Sequence, residues 1–425
     1  MQKNLEEAEE NGKLEDILLD DETLKKIKEQ NASSKTDKYE KIENIKAFGL
    51  NDNLNREWRF SYYIGLDYLD DENQIPLYVH PKYENLNYLE MLQVCLECPD
   101  TAKYVTNIYE VRDKKPLIQP PNNTSHSAFM LFIMYHYLTL LSEIVKRPLV
   151  KSYVGKTENL KSKIKGKILL NEHIVKNIAN MRYDRIMCSF DEYSEDCPAN
   201  RLLHSAYKIC KDYGKRIKTE TYPFSKYDRL ESRFQHIGYI KSPTEINKIK
   251  TNPLFLEYKT ALRLAKLIYA LKTKKENMQA RDDFFKIYPY IINMAILFEL
   301  YVYSCLKKSG LRIGYQISGV KKTRVDFLDY DNKIIIDTKY KDAYDPEIDD
   351  IRQVSGYARD IGILKKLFGE QVTHEDSTVP NCLIIYPDMD KNKVSGNIEK
   401  DKLLDDRIEE FNRFFRYCIG LPKSD

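Results

Sequence analysis

Between Thr323 and Lys341 the chain reads TRVDFLDYDNKIIIDTKYK, and this stretch constrains the fold more than any other. Val325 to Leu328 and Lys333 to Tyr340 are rich in β-branched and aromatic residues and flank the polar DYDN, which predicts two strands joined by a hairpin turn. Ile334, Ile335 and Ile336 are apolar on both faces, which places the second strand inside a sheet. Charged residues at the end of such a strand are then hard to read as solvent decoration. If the loop is the four residues 329–332, Asp326 lies diagonal to Asp337, whereas a two-residue loop at 331–332 puts them directly opposite. Either even length places Asp326, Asp337 and Lys339 on one sheet face, because side chains alternate with period two. A loop of odd length would break this.

Two carboxylates roughly 5–8 Å apart across a hairpin repel each other unless something positive sits between them. A hard divalent cation suits the place: Mg²⁺ takes a few carboxylate oxygens, keeps several waters and leaves positions for phosphate oxygens. Lys339, two residues beyond Asp337, can polarise water at the metal or steady charge developing on phosphorus.

The flanking segments extend the unit into the order helix, strand, strand, helix, strand. A first helix is expected over 289–308, PYIINMAILFELYVYSCLKK. Around Glu299 the residues three, four and seven away are Ile296, Val302, Ala295, Tyr303, Ile292 and Leu306. A carboxylate on this apolar stripe is costly to bury ionised unless a cation or hydrogen-bond donors meet it. After the hairpin, Asp345 as N-cap and Pro346 at the first position open a second helix, EIDDIRQVSGYARDIGIL, on which Gln353 and Tyr357 share a face. The strand NCLIIYP closes the unit.

Glu299, Asp326, Asp337-Thr338-Lys339 and Gln353-x-x-x-Tyr357, in this order and on these elements, resemble the PD-(D/E)XK nuclease core with the QxxxY helix of its RecB-like branch. Upstream, IGLDYLDDENQIPLYVHPKYEN is similar to the N-terminal β unit of the McrC family. KSYVGKTENLKSKIKGKILL and RIMCSFDEYSEDCPANRLLHSAYKI are similar to that family's central region. The resemblance covers roughly residues 58 to 390. It implies a restriction endonuclease subunit that cleaves double-stranded DNA when assembled with a McrB-like AAA+ GTPase or ATPase. It further implies Asp326 and Asp337 as metal ligands with Glu299 completing the acidic cluster through water, Lys339 as the catalytic lysine, and Gln353 and Tyr357 supporting the site helix and the DNA backbone. Mg²⁺ is the implied cofactor, with Mn²⁺ as an alternative. The N-terminal portion is implied to touch the partner and stimulate its nucleotide hydrolysis. Val325 stands where the motif usually has Pro, and Thr338 fills its variable slot.

The rest of the chain organises around this unit. Residues 1–46 form a charged lead, read as a solvated helical arm or a disordered segment. A β-containing N-terminal domain is expected over 47–125, ending in the proline-rich DKKPLIQPPNNTS, then a mostly helical central region over 126–280 and the nuclease-like domain over 281–425. The fold class is therefore mixed α/β, with an α-β-β-α-β core at the C-terminal end. The apolar stretch from Ser127 is interrupted by His136 and Ser142 and closes on Glu143, so a buried helix is expected and no membrane span. The acidic N-terminus lacks the apolar core of a signal peptide, which favours the cytoplasm.

Net charge is only +3, so any polyanion-binding surface must be local. One such surface is the run from Lys146 to Lys167, with eight Lys or Arg against the single acid Glu158. Gly155-Lys156-Thr157 within it mimics a phosphate loop, but Val150 stands where the Walker A turn requires Gly, so this chain is expected to bind no nucleotide itself. The eight cysteines lack the spacing of a disulfide framework or a four-thiolate zinc site, and the seven histidines are scattered without a ligand pattern. Two functions remain: a Mg²⁺-dependent endonuclease subunit, or an assembly and stimulation subunit of the same NTPase that does not itself cleave.

Overall fold

A computed structural model of the chain describes residues 6–10, 12–17, 19, 21–31, 45–52, 57–70, 74–118, 123–216, 224–247, 249, 256–277, 287–320, 323–341, 347–373, 379–389 and 395–424. These fall into two compact units, one built from the described parts of 1–126 and 284–425, the other from those of 127–283. It is a mixed α/β structure.

The first unit holds two five-stranded sheets. The N-terminal sheet runs, in spatial order, Glu6–Glu9, Ile75–His80, Tyr63–Asp70, Tyr290–Asn293 and Tyr109–Val111. Its centre is the expected antiparallel pair Tyr63–Asp70 and Ile75–His80. Gly65 lies against the Tyr290 carbonyl with φ of 129°, a conformation and a closeness that a side chain would forbid. The lead segment differs from expectation. Glu6–Glu9 pairs in parallel with Ile75–His80, Asp21–Asn31 is a helix, and Leu14, Ile17 and Ile27 are buried in one core with Phe48, Phe60, Tyr63 and Leu77. Those few apolar residues are spaced too sparsely to show as a period, yet burying them outweighs the charge around them.

The segment expected as one helix over 289–308 divides. Tyr290–Asn293 is a strand, fully buried between Tyr63–Asp70 and Tyr109–Val111, and the helix is Met294–Lys308. Ile291 and Ile292 are β-branched, and the Asn293 side chain accepts from the Ile296 N–H at 3.0 Å, so the helix starts where its cap stands. By contributing this strand, the first part of the expected nuclease-like domain joins the N-terminal sheet. The two form one unit instead of two separate domains.

The C-terminal sheet runs Ile313–Ser318, Arg324–Asp329, Ile334–Thr338, Asn381–Asp388 and Phe414–Gly420. The first three are antiparallel neighbours; the last three are parallel, with the connection from Ile334–Thr338 to Asn381–Asp388 passing through two helices, Ile348–Tyr357 and Ile361–Phe368. The single second helix of the sequence reading is thus two. Asp360 caps the second of them, its side chain accepting from the Gly362 and Ile363 N–H groups at 2.9 and 3.2 Å. The first has Glu347 at its N-cap position, with no capping bond from the side chain; Asp345 and Pro346 lie outside the described residues. Ile351, Val354 and Tyr357 of the first helix and Ile363 and Leu367 of the second share one core with Leu328, Ile335, Cys382 and Ile384 of one sheet face. Met294–Lys308 covers the other, where Tyr303 stacks on Phe327 with centroids 5.6 Å apart.

The second unit combines the helices Asn123–Ile144, Pro198–Arg216 and Leu256–Asn277 with a ribbon of Ser152–Lys161 against Arg185–Ser194, joined by the short strand Lys167–Ile168. The basic run forms much of this ribbon. Lys156 ion-pairs with Glu192, and the Lys165 ammonium lies 4.1 Å from the centroid of the Phe190 ring. Gly155, Lys156 and Thr157 sit mid-strand opposite Asp191, Phe190 and Ser189, not in a loop opening onto a helix. Among the described residues no helix is long and apolar enough to cross a membrane, and all eight cysteines are free thiols.

Candidate active site

The hairpin register is Phe327 to Ile336, Leu328 to Ile335 and Asp329 to Ile334, leaving the four residues 330–333 as the loop. One further step along the ladder brings Asp326 directly opposite Asp337. The register is that of the directly opposed alternative, reached with a longer loop. Asp329 explains the shift: its carboxylate accepts from the Asp331 and Asn332 N–H groups at 3.0 and 3.1 Å and from the Asn332 amide at 2.7 Å, closing the turn. Lys333 completes it with φ of 57°.

Asp326 and Asp337 are each 2% exposed. Asp326 Oδ2 accepts from the Thr338 N–H at 2.9 Å and from its hydroxyl at 2.6 Å. Lys339 Nζ lies 2.7 Å from Asp337 Oδ2, and its backbone N–H donates to the Ile385 carbonyl at 3.0 Å, carrying the parallel pairing one residue past the strand. The ammonium also donates to Gln353 Oε1 at 2.7 Å, and Gln353 Nε2 donates to the Tyr357 hydroxyl at 2.6 Å. The helix face read from the sequence therefore meets the lysine end of the strand.

Two residues that sequence reasoning missed join this group. Asp350, 6% exposed, lies with one oxygen 3.9 Å from Lys339 Nζ and the other 2.7 Å from Lys341 Nζ. Lys341 also pairs with Glu347 at 2.9 Å; burial works against its charge, but the two carboxylates hold its ammonium above the usual lysine range. The signal was present. Asp350 stands three residues before Gln353, hence on the face that carries Tyr357, and Lys341 continues the two-residue spacing of Asp337 and Lys339. Beneath them Tyr386 is fully buried; burial, with the nearby Asp350 and Asp337 charges, pushes its phenol upward and keeps it protonated.

Glu299, expected to complete the acidic cluster through water, has a protein partner. It is fully buried on the helix Met294–Lys308 and accepts a hydrogen bond from the Gln316 amide. Gln316, with φ of 52°, lies level with Asp326 between the pairs Tyr315 to Phe327 and Ile317 to Val325. Among the described residues no three His, Cys, Asp or Glu side chains come together as a metal-binding group. The pair that could hold a hard cation is Asp326 and Asp337, and the expected third carboxylate is engaged by Gln316. In the second unit Asn200 and Arg201 are held by neighbouring groups. Arg201 makes a bidentate pair with Asp196 at 2.7 and 2.8 Å, and the Asn200 amide donates to the Val150 and Glu195 carbonyls at 2.8 and 2.7 Å.

Residues 59–359, well over half of the chain, match the model of the family described as McrBC 5-methylcytosine restriction system component. The chain belongs to that family. No curated protein matches. Among solved structures, one similar to this McrBC-family chain is a refined half-complex from a tetradecameric assembly of Thermococcus gammatolerans McrB AAA+ hexamers with bound McrC. It is 14% identical, covers 98% of this chain and 94% of the other, and has a TM-score of 0.42. A second is a cryo-EM structure of the Thermococcus gammatolerans McrBC complex, 16% identical, covering 73% of this chain and 90% of the other at a TM-score of 0.32.

Proposed function

We propose that the chain is the Mg²⁺-dependent, PD-(D/E)XK-type DNA endonuclease subunit of an McrBC restriction system, active when assembled with an AAA+ NTPase. The observation that carries this reading is the buried pair Asp326 and Asp337, opposed across one hairpin with Lys339 against it. Lys339 offsets one of the two buried negative charges, and the donor set suits Mg²⁺, which needs only one or two carboxylates besides water and phosphate oxygens. A bound cation would supply Lewis acidity at the phosphoryl oxygens and lower the pKa of water.

The chain's own residues do the rest. Thr338 fixes one oxygen of Asp326 through two hydrogen bonds, so that carboxylate is oriented before anything binds. Lys339 supplies a positive charge where the transferred phosphoryl gathers negative charge, and Gln353, held by Tyr357, aims its ammonium. In the hydrolysis, a water oxygen forms a bond to phosphorus as one ester P–O bond breaks, leaving a phosphomonoester and a hydroxyl.

A second reading, a subunit that assembles with and stimulates the NTPase without cleaving, draws on Glu299 being held by Gln316 outside the carboxylate pair. Plasmid cleavage by the chain reconstituted with its AAA+ partner separates them. Asp337→Ala is expected to abolish cutting while stimulation of nucleotide hydrolysis persists; unchanged cutting refutes the nuclease assignment.

A further inference from the structure

We propose that Lys82, which belongs to the N-terminal β unit, is a positioning residue for Lys339. The inference rests on the nuclease reading above and adds to it a contribution from outside the nuclease-like core. Lys82 follows the strand Ile75–His80 by two residues. Its ammonium donates to the carbonyl of Tyr340 at 2.7 Å, and Tyr340 is the residue immediately after Lys339.

The need for such a contact comes from where the strand stops. Ile334–Thr338 ends one residue before Lys339, and the last described pairing along it is the Lys339 N–H to the Ile385 carbonyl. Lys82 binds the carbonyl of Tyr340, so the Tyr340–Lys341 peptide group, one beyond the peptide that follows Lys339, is held although the ladder has ended. The side chain of Tyr340 is held as well. Lys82 Nζ lies 4.4 Å from its ring centroid and 4.9 Å from that of Tyr83, the two tyrosine rings meet edge to face at 5.4 Å, and Phe298 lies 5.7 Å from Tyr340. The backbone is therefore held on both sides of the Lys339 side chain, at its own N–H by the C-terminal sheet and at the Tyr340 carbonyl, one residue on, by Lys82 of the N-terminal unit.

Glu10 closes the site on the far side. Its backbone N–H donates to the His80 carbonyl at 2.8 Å, which sets it at the same strand end, and its side chain, 3% exposed, faces Lys82. With the Glu10 carboxyl behind it and a carbonyl and two tyrosine rings in front, the lysine is confined on both sides.

The test is plasmid cleavage by the full-length chain reconstituted with its AAA+ partner, comparing wild type, Lys82→Met, Lys82→Arg and Lys339→Ala. Lys82→Met keeps the apolar stem and removes the donor; it is expected to lower kcat about tenfold or more with the half-saturating DNA concentration and NTPase stimulation unchanged. Lys82→Arg, which keeps a cationic donor, is expected to restore most of the rate. Amide exchange in Lys82→Met should quicken at the peptide covering Tyr340 and Lys341 and nowhere else. A Lys82→Met protein that cuts like wild type while Lys339→Ala is inactive overturns the inference and leaves the nuclease reading standing. A shift in half-saturation instead of kcat, or faster exchange throughout the unit, also overturns it, by assigning Lys82 to DNA contact or to folding. A fully active Lys339→Ala removes the nuclease reading and the inference together.

Discussion

Glu10 offers a measurement in which the size, the sign and the pH window all follow from its burial. Desolvation raises its carboxyl from the usual 4.5 to about 7, against the pull of the Lys82 ammonium. A carboxyl whose pKa is higher folded than unfolded favours the folded state only while protonated. Its contribution is fully present below pH 4.5 and is lost as pH rises through about 7. A displacement from 4.5 to about 7 corresponds to about 3 kcal/mol, since one unit is 1.36 kcal/mol. Glu10→Gln keeps the shape of the neutral acid and cannot ionise. It is expected to match wild-type stability near pH 4 and to exceed it by about 3 kcal/mol near pH 8, with roughly half of the gain reached by pH 6.

The protein carries its own reporter for this. Trp58, the single tryptophan, packs on the core that holds Leu14, Phe60 and Tyr63, so urea unfolding followed by its fluorescence reads the unit to which Glu10 belongs. Other groups titrate in both proteins, and their contributions cancel in the difference between them. A difference that stays flat from pH 4 to 8 would refute the argument, because it would mean that the carboxyl ionises in the folded state as easily as in water.

Further outcomes follow from other parts of the structure. Gln353→Ala should lower the cleavage rate roughly tenfold to a hundredfold, the worth of a hydrogen bond to a charged group, while Tyr357→Phe should cost less because it loosens only the far end of the relay; single-turnover cleavage ranks the two. Thr338→Val removes the 2.6 Å hydroxyl donor from the buried Asp326 and should destabilise the first unit by about 2 kcal/mol in urea titrations. In the second unit His136 is fully buried, and desolvation lowers its pKa from 6.5 to about 3. Being depressed, it contributes stability that is present above pH 6.5 and lost as pH falls, so His136→Leu should gain about 2 kcal/mol relative to wild type on going from pH 8 to pH 5 by chemical denaturation.

What could be read from the sequence, and what could not, divides along physical lines. The common face of Asp326, Asp337 and Lys339 follows from a period of two, which every even register preserves, so it was legible before the register was known. The register itself was not, because it depends on Asp329 closing the turn with three hydrogen bonds, a local competition that polarity alone does not reveal. Tyr290–Asn293 was read as helix because a continuous apolar run has no period to separate strand from helix. Leu14, Ile17 and Ile27 were hidden because three apolar residues in a charged lead make no stripe.

Glu299 is the most instructive case, since the sequence requires a partner for it and leaves open whether that partner is a cation or a donor. A carboxylate on an apolar helix stripe must be met by a cation or a donor, and the sequence offered a cation site nearby. The structure meets it instead with the amide of Gln316, whose place level with Asp326 comes from strand pairing across the sheet and from a backbone φ of 52°. Both are tertiary facts. The same holds for Lys82, separated from Tyr340 by most of the chain yet bonded to its carbonyl. Side-chain chemistry and spacing identify which groups need partners. Which partner arrives is decided by pairings between distant strands, and it is those pairings that give the N-terminal β unit a hold on the lysine at the candidate site.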